Sequence, residues 1–276
     1  MKKKLIIIGK NSFIGSNIYK DLKNKYKILI LNFSQFKKLK LKTIKDYEYV
    51  CNCSVNKNYV NNIYKERNDI DVKIISKIIN TKLTYIFLST RKVYKPKFNI
   101  DENEKLNPID TYSLNKTITE KKLIKKFKSQ LLILRISNVV GFKIKKNNRQ
   151  VNKTFFDNYL KFNKSKKEIK YYNYYKDFIT VEQLSKIFSL ILKKKLTGVF
   201  NISLGKKIYL KELLGWLNKY NNFKNKYICL LTSKKKSKEE SFTLDNKKIS
   251  IRINYKPKKK DLKKYCMELS KKITSS

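Results

Sequence analysis

The chain has 276 residues, 41% hydrophobic and 13% aromatic, enough to bury one substantial core with a smaller lobe but not three independent domains. Its formal charge of +46, from 67 basic and 21 acidic residues, would by itself suit nucleic acid or an anionic membrane, yet only five basic residues are arginine and alanine is absent. The enriched Lys, Asn, Ile, Phe and Tyr share AT-rich codons, so composition explains the lysines without a nucleic-acid partner; no apolar run of about eighteen residues spans a membrane, and the absence of histidine excludes a Cys/His metal site.

The N-terminus, MKKKLIIIGK, has the basic start of a signal peptide, but its apolar patch is only Leu5–Ile8 and no small-residue cleavage site follows. It reads as a buried strand, Lys4–Ile8. Next comes Gly9-Lys10-Asn11-Ser12-Phe13-Ile14-Gly15, opening a helix expected over Ser16–Lys25. Gly9 permits a tight turn, and Gly15 lets the helix pack on the strand while its N-terminus faces a pyrophosphate. The middle position of the glycine fingerprint is Ser12, small enough for close approach. A second strand is expected at Lys27–Leu31 and a third at Tyr49–Cys53, carrying Cys51 and Cys53. With Cys229 and Cys266 these match neither a zinc pattern nor a disulfide framework, which points to a reduced, cytoplasmic setting.

A helix at Asp69–Asn80 leads to a strand at Tyr85–Ser89, followed by Thr90. A helix at Tyr112–Lys126 precedes a strand at Leu131–Ile136. The stretch from Lys143 to Asn173 is polar and aromatic-rich, with one helix-like piece at Phe155–Phe162, and fits a lobe inserted outside the sheet. A helix at Val181–Lys194 and a strand at Val199–Ile202 follow, and the lysine clusters at 234–238 and 256–260 read as solvated loops. This alternation predicts an α/β fold: a Rossmann-type doubly wound parallel sheet with a smaller C-terminal lobe. The sheet domain is expected over 1–142 plus 177–202, and the smaller lobe over 143–176 plus 203–276.

Tyr112 and Lys116 stand four residues apart, on one face of their helix. An ammonium beside a phenol favours the phenolate, so a tyrosine so placed can act as general acid or base where no imidazole exists. Around this pair lie Leu88-Ser-Thr-Arg-Lys-Val-Tyr94, Asp101-Glu102, Pro108, Leu134-Arg-Ile-Ser-Asn138-Val-Val-Gly141, Lys176-Asp177-Phe178-Ile179-Thr180-Val181 and Gly198-Val-Phe-Asn201-Ile-Ser-Leu-Gly205. Five of the six glycines fall within these segments and the first turn.

The ordered series resembles the extended short-chain dehydrogenase/reductase family of sugar-nucleotide epimerases, dehydratases and ketoreductases, from residue 4 to about residue 250. The resemblance implies an enzyme that binds a nicotinamide dinucleotide at Gly9, Ser12, Phe13, Ile14, Gly15, Asn32, Ser34, Cys53, Tyr112 and Lys116. It implies Thr90 as the hydroxyl that bonds the reacting sugar oxygen, Tyr112 as proton donor and acceptor, and Lys116 as holder of the nicotinamide ribose. Asn138 would meet the substrate phosphate. Lys176, and Lys235 within Lys234–Lys236, would stand where the family has arginines aimed at the diphosphate. NAD-preferring members carry an acid after strand two; here Asn32–Lys38 has none, and Lys37 or Lys38 could pair with a 2′-phosphate, so NAD(P)(H) is expected with a lean to NADP(H). The short segment between strands two and three suits a cofactor exchanged at each turnover. Hydride transfer at C4 of a nucleotide-activated sugar follows, as a 4-ketoreductase before a 4-epimerase. Arg91 and Lys92 stand where a dehydratase has acids. The family also implies a homodimer through the Tyr112 helix. The alternative is a non-catalytic dinucleotide fold that binds RNA or a protein partner.

Overall fold

The computed structural model describes residues 2–141, 157–161, 168–220, 226–230 and 241–274. In chain order the first strands and helices are β1 (Lys4–Ile8), α1 (Phe13–Leu22), β2 (Lys27–Leu31), α2 (Phe33–Lys38), α3 (Leu41–Lys45), β3 (Tyr49–Asn52), α4 (Lys57–Asn61), α5 (Ile70–Ile78), β4 (Thr84–Thr90), α6 (Thr111–Phe127) and β5 (Leu131–Ile136). They continue with β6 (Asn138–Val140), β7 (Glu168–Tyr172), β8 (Tyr175–Lys176), β9 (Phe178–Thr180), α7 (Val181–Lys194), β10 (Gly198–Ile202), β11 (Ile208–Tyr209), α8 (Leu210–Asn218), β12 (Lys226–Leu230), α9 (Lys247–Ile253) and α10 (Lys259–Thr274). A short helical stretch at 157–161 falls within the expected Phe155–Phe162 piece.

Six strands form one parallel sheet in the order β10-β5-β4-β3-β1-β2. A parallel sheet covered on both faces needs apolar residues at every position, which is why these strands read as continuous runs. Along β1, Leu5 and Ile7 join the core under α1 and α7, while Ile6 and Ile8 join the core under α5 and α6. In β5 the same alternation sends Leu132, Leu134 and Ile136 one way and Leu131 and Ile133 the other. The sheet is therefore doubly wound, as the sequence predicts.

Strand order reverses between β1 and β3, the place where such sheets open a crevice at their carboxyl edge. The dinucleotide order 3-2-1-4-5-6 has a further strand outside β2. Here only α2 and α3 fill the interval, which is the short segment noted above.

The boundaries differ from the sequence reading in explicable ways. Helix α1 begins at Phe13, three residues early, because the Ser12 side chain caps it by accepting from the Gly15 amide at 2.9 Å. It ends early because the amides of Lys25 and Tyr26 both turn back to the Leu22 carbonyl.

Beyond β5 the chain builds a second core. Val140, Phe178, Leu213, Leu217, Leu262 and Leu269 pack together, joining β6 and β9 to α8 and α10. Small two-stranded pairings, β8 with β11, β7 with β12 and β6 with β9, frame it. Lys259 and Lys260, expected in a loop, form the first turn of α10. Helix α9 returns to the sheet, where Ile249 and Ile253 pack in the β1–α7 core.

Candidate active site

The carboxyl edge of the sheet gathers the singled-out residues from several strands. Gly9 follows β1, Asn32 follows β2, Cys53 follows β3, Thr90 ends β4 and Asn138 follows β5.

Gly9 adopts φ +126°, a conformation that L side chains rarely adopt. A Cβ there would lie 2.9 Å from the Cys53 carbonyl carbon, and one on Gly15 would lie 2.7 Å from the Gly9 oxygen and from Ser12 Oγ. The two glycines let strand, turn and helix meet, with the Cys53 Cβ in the same tight contact. The departure at Ser12 has a local reason: its hydroxyl is taken by the Gly15 amide. That leaves the amides of Phe13 and Ile14, for which the helix itself provides no acceptor, to meet an anion. The amides of Gly9 and Lys10 are tied to the Leu31 carbonyl at 2.7 and 3.0 Å, locking the ends of β1 and β2 together. Asn32, expected on the ribose with Ser34, also makes a capping box with Gln35: Asn32 Oδ1 accepts from the Gln35 amide at 2.9 Å and Gln35 Oε1 from the Asn32 amide at 3.0 Å, while Ser34 Oγ donates to Asn32 Oδ1 at 2.7 Å. The turn therefore fits a dinucleotide pyrophosphate.

Helix α6 brings Tyr112 and Lys116 to the same edge. Asp110 accepts from the Ser113 amide at 2.8 Å at the start of the helix, and its other oxygen pairs with Lys92 Nζ at 2.6 Å. Lys92 belongs to the turn Arg91–Val93 that Thr90 caps, so one ion pair fastens the Thr90 turn to the helix that carries Tyr112. Burial would raise the Asp110 carboxyl, but its bonds to Lys92 and Ser113 hold it below the usual range.

Lys116 is 5% exposed, an unusual place for an ammonium. Its Nζ lies 4.3 Å from the centroid of the Phe87 ring, 5.7 Å from that of Tyr59 and 5.9 Å from that of Tyr112. Burial alone would lower its pKa; attraction to Tyr112, Asp71, Asp69 and Glu120 overcomes this and raises it, so the ammonium stays charged. The four-residue spacing delivers what the sequence promised, a cation and a phenol on one face.

Beneath these groups lies a polar network whose members the sequence reading quoted or passed over without a role. Arg135, 5% exposed in β5, grips Glu120 through Nη2 at 2.7 Å and Nε at 3.2 Å, and Ser89 Oγ donates to the same carboxylate. Arg135 Nη1 also donates to the Tyr94 hydroxyl at 2.6 Å, which itself donates a hydrogen bond to Asn201 Oδ1 at 3.0 Å. Glu102 accepts from the Asn201 amide at 2.8 Å. The network ties β4, β5, β10 and α6 together under the site. An arginine within Leu-Leu-Ile-Leu-Arg-Ile signals that a buried partner must exist; which carboxylate answers it does not follow from spacing.

On the lobe side, Asn138 Nδ2 donates to the Asp177 carbonyl at 3.1 Å. Lys176 Nζ lies 6.0 Å from the Tyr174 ring centroid. Lys235 lies outside the described residues. No helix of the described residues is long and apolar enough to cross a membrane.

The sequence matches the model of the NAD dependent epimerase/dehydratase family over residues 5–203. No curated protein matches it significantly. Among solved structures it is similar to a UDP-N-acetylglucosamine 4-epimerase from Methanobrevibacter ruminantium, with TM-score 0.78, 20% identity and all of both chains covered. It is also similar to a UDP-glucose 4-epimerase from Thermotoga maritima, with TM-score 0.74, 18% identity and coverage of 98% and 99% of the two chains. A Bordetella bronchiseptica enzyme, WbmG, solved with NAD, gives TM-score 0.74 at 17% identity over 100% of this chain and 96% of that one. At these identities the likeness is one of fold.

Proposed function

This chain belongs to the NAD dependent epimerase/dehydratase family, and from that premise we propose that it transfers hydride between a nicotinamide cofactor and C4 of a nucleotide-activated sugar, reducing a 4-keto sugar in preference to epimerising it. The observation that carries this reading is the desolvated, charged Lys116 beside Tyr112, fastened through Lys92 and Asp110 to the Thr90 turn. Two of the similar structures are themselves 4-epimerases of UDP-sugars, which supports a nucleotide-sugar substrate.

A nicotinamide bound along the glycine turn would supply the hydride. The protein's own residues do the remaining work. The amides of Phe13 and Ile14 meet the pyrophosphate, and Lys116 holds the ribose. Thr90 hydrogen-bonds the reacting oxygen, and Tyr112 gives it a proton. Asn138, Lys176 and Lys235 meet the diphosphate of the sugar nucleotide. The acid-free stretch Asn32–Lys38 supports NADP(H) over NAD(H), and the short α2–α3 interval supports a cofactor that leaves after each turnover. The division into a dinucleotide domain (1–142 plus 177–202) and a substrate lobe (143–176 plus 203–276), and pairing of two chains through α6, belong to the same proposal.

Tyr112→Phe removes only the titrating hydroxyl. It should lower kcat on a UDP-4-keto-hexose by about 10²–10⁴-fold while leaving the affinity for reduced cofactor nearly unchanged. Wild-type turnover in this variant would refute the assignment.

A further inference from the structure

A carboxylate that this chemistry does not use stands behind the Tyr112–Lys116 pair. Asp71 lies in the first turn of α5 and is 3% exposed. Its Oδ1 accepts from the Tyr85 hydroxyl at 2.6 Å and from Asn52 Nδ2 at 2.8 Å, so β3 and β4 fix its orientation. Its Oδ2 faces Lys116 Nζ at 3.8 Å. The helix does not need Asp71 as its cap, because Asp69 already accepts from the amides of residues 71 and 72 at 2.9 and 3.1 Å.

Other titratable groups surround this pair, and each has its own arrangement. Glu120, on α6, is gripped by Arg135. Asp69 accepts from the Tyr64 and Thr119 hydroxyls as well as from the two amides. Tyr59 on α4 and Tyr85 on β4 are held neutral by burial, and Cys51 on β3 likewise. Among the described residues, Asp71 alone forms an ion pair with Lys116. Burial raises the Asp71 carboxyl above the usual carboxylate range, against the pull of Lys116, so a charge is costly here.

We propose that Asp71 is a positioning residue that counterbalances Lys116 and so biases Tyr112 toward the protonated phenol. An ammonium alone beside a phenol favours the phenolate, the form that removes a proton when an alcohol is oxidised. A fixed carboxylate on the other side of that ammonium opposes the bias. In reduction, hydride from the reduced nicotinamide bonds to the carbonyl carbon, and the carbonyl π pair takes the Tyr112 proton. The resulting phenolate is steadied by Lys116 until solvent returns a proton. Asp71 thus favours the state from which reduction starts. The inference rests on Tyr112 as the acid, and it deepens that reading by giving the site a preferred direction.

The first readout needs no cofactor. In the full-length, cofactor-free protein, ultraviolet titration of the tyrosinate band, with Tyr112→Phe subtracted, isolates the ionisation of Tyr112. In an Asp71→Asn background the midpoint should fall by about one unit, and the alkaline limb of reductive kcat on a UDP-4-keto-hexose should fall with it. Asp71→Ser, which also removes the charge, should move the midpoint the same way; this variant decides if Asp71→Asn does not fold. A folded variant that titrates like wild type, with at most a uniform loss of rate, would overturn the proposal. Wild-type turnover in Tyr112→Phe would instead overturn the functional reading, since the titration reads Asp71 independently of catalysis.

Discussion

Asp177 illustrates how a single buried carboxylate joins segments that are distant in sequence. It accepts from the backbone amides of Leu204, Gly205 and Leu244 at 3.1–3.2 Å, so the strand that leads into α7 is tied to the chain after β10 and to the approach to α9. Burial, only partly offset by these amides, pushes its carboxyl up to about 7. An unfolded aspartate titrates near 3.9, so the folded state binds this proton more tightly. Its contribution to stability is full below about pH 4 and is lost as pH rises through about 7. Urea unfolding of wild type and Asp177→Asn from pH 4 to pH 8 should show an extra decline in wild type, on the order of a few kcal/mol; parallel pH responses would contradict this. In the sequence Asp177 was visible only as part of a motif, because three backbone donors leave no residue-type signature. Lys37 and Lys38 pose the opposite case, residues whose proposed role depends on a ligand. Lys37 Nζ lies 5.7 Å from the Phe33 ring centroid, beside the Asn32 cap. If either lysine meets a 2′-phosphate, fluorescence titration should show NADPH binding about ten- to a hundredfold tighter than NADH, and Lys37→Ala with Lys38→Ala should erase the difference. Equal affinities in wild type would rule the contact out.

At the scale of elements, the turn between β1 and α1 is shaped by Gly9, Ser12 and Gly15. Gly15→Ala would press a methyl against the Gly9 carbonyl oxygen and Ser12 Oγ, both 2.7 Å from the new carbon. Neither neighbour is the far end of a flexible chain: one is backbone, the other the helix cap. The variant should lose about 1–3 kcal/mol of stability and bind reduced cofactor more weakly, readable by urea unfolding and fluorescence; unaltered affinity would contradict the assigned role of this turn. The sheet was legible because strands buried on both faces must be apolar throughout, as in Leu5–Ile8 and Leu131–Leu134. Helix α6 was legible from Tyr112 and Lys116 and not from periodicity, since its buried side includes Ser113, Asn115, Thr117, Thr119 and Glu120. Helix α10 was missed although Leu262, Cys266 and Leu269 recur at helical spacing. The surrounding lysines obscure that spacing, so Lys259 and Lys260 look like a solvated loop in the sequence. The pairings of β7 with β12 and β8 with β11 join distant short strands, and no local pattern specifies such partners.

For the molecule as a whole, the charge of +46 is the most conspicuous feature of the sequence and the least informative about the site. At the carboxyl edge the Lys92–Asp110 pair ties the turn that follows Thr90 on β4 to α6, which carries Tyr112 and Lys116, within the doubly wound order of the sheet. That order also sets the glycine turn at the reversal between β1 and β3, where an open sheet receives its ligand. The proposal therefore joins a cofactor turn at one part of the edge to a proton donor at another. The most direct test supplies reduced cofactor carrying two deuterium atoms at C4 of the nicotinamide, together with a UDP-4-keto-hexose, and reads the sugar nucleotide by mass spectrometry and proton NMR. The account predicts one deuteron at C4 of the product, with cofactor oxidised in equal amount. A product without deuterium, or no reduction of 4-keto sugars at all, would contradict it.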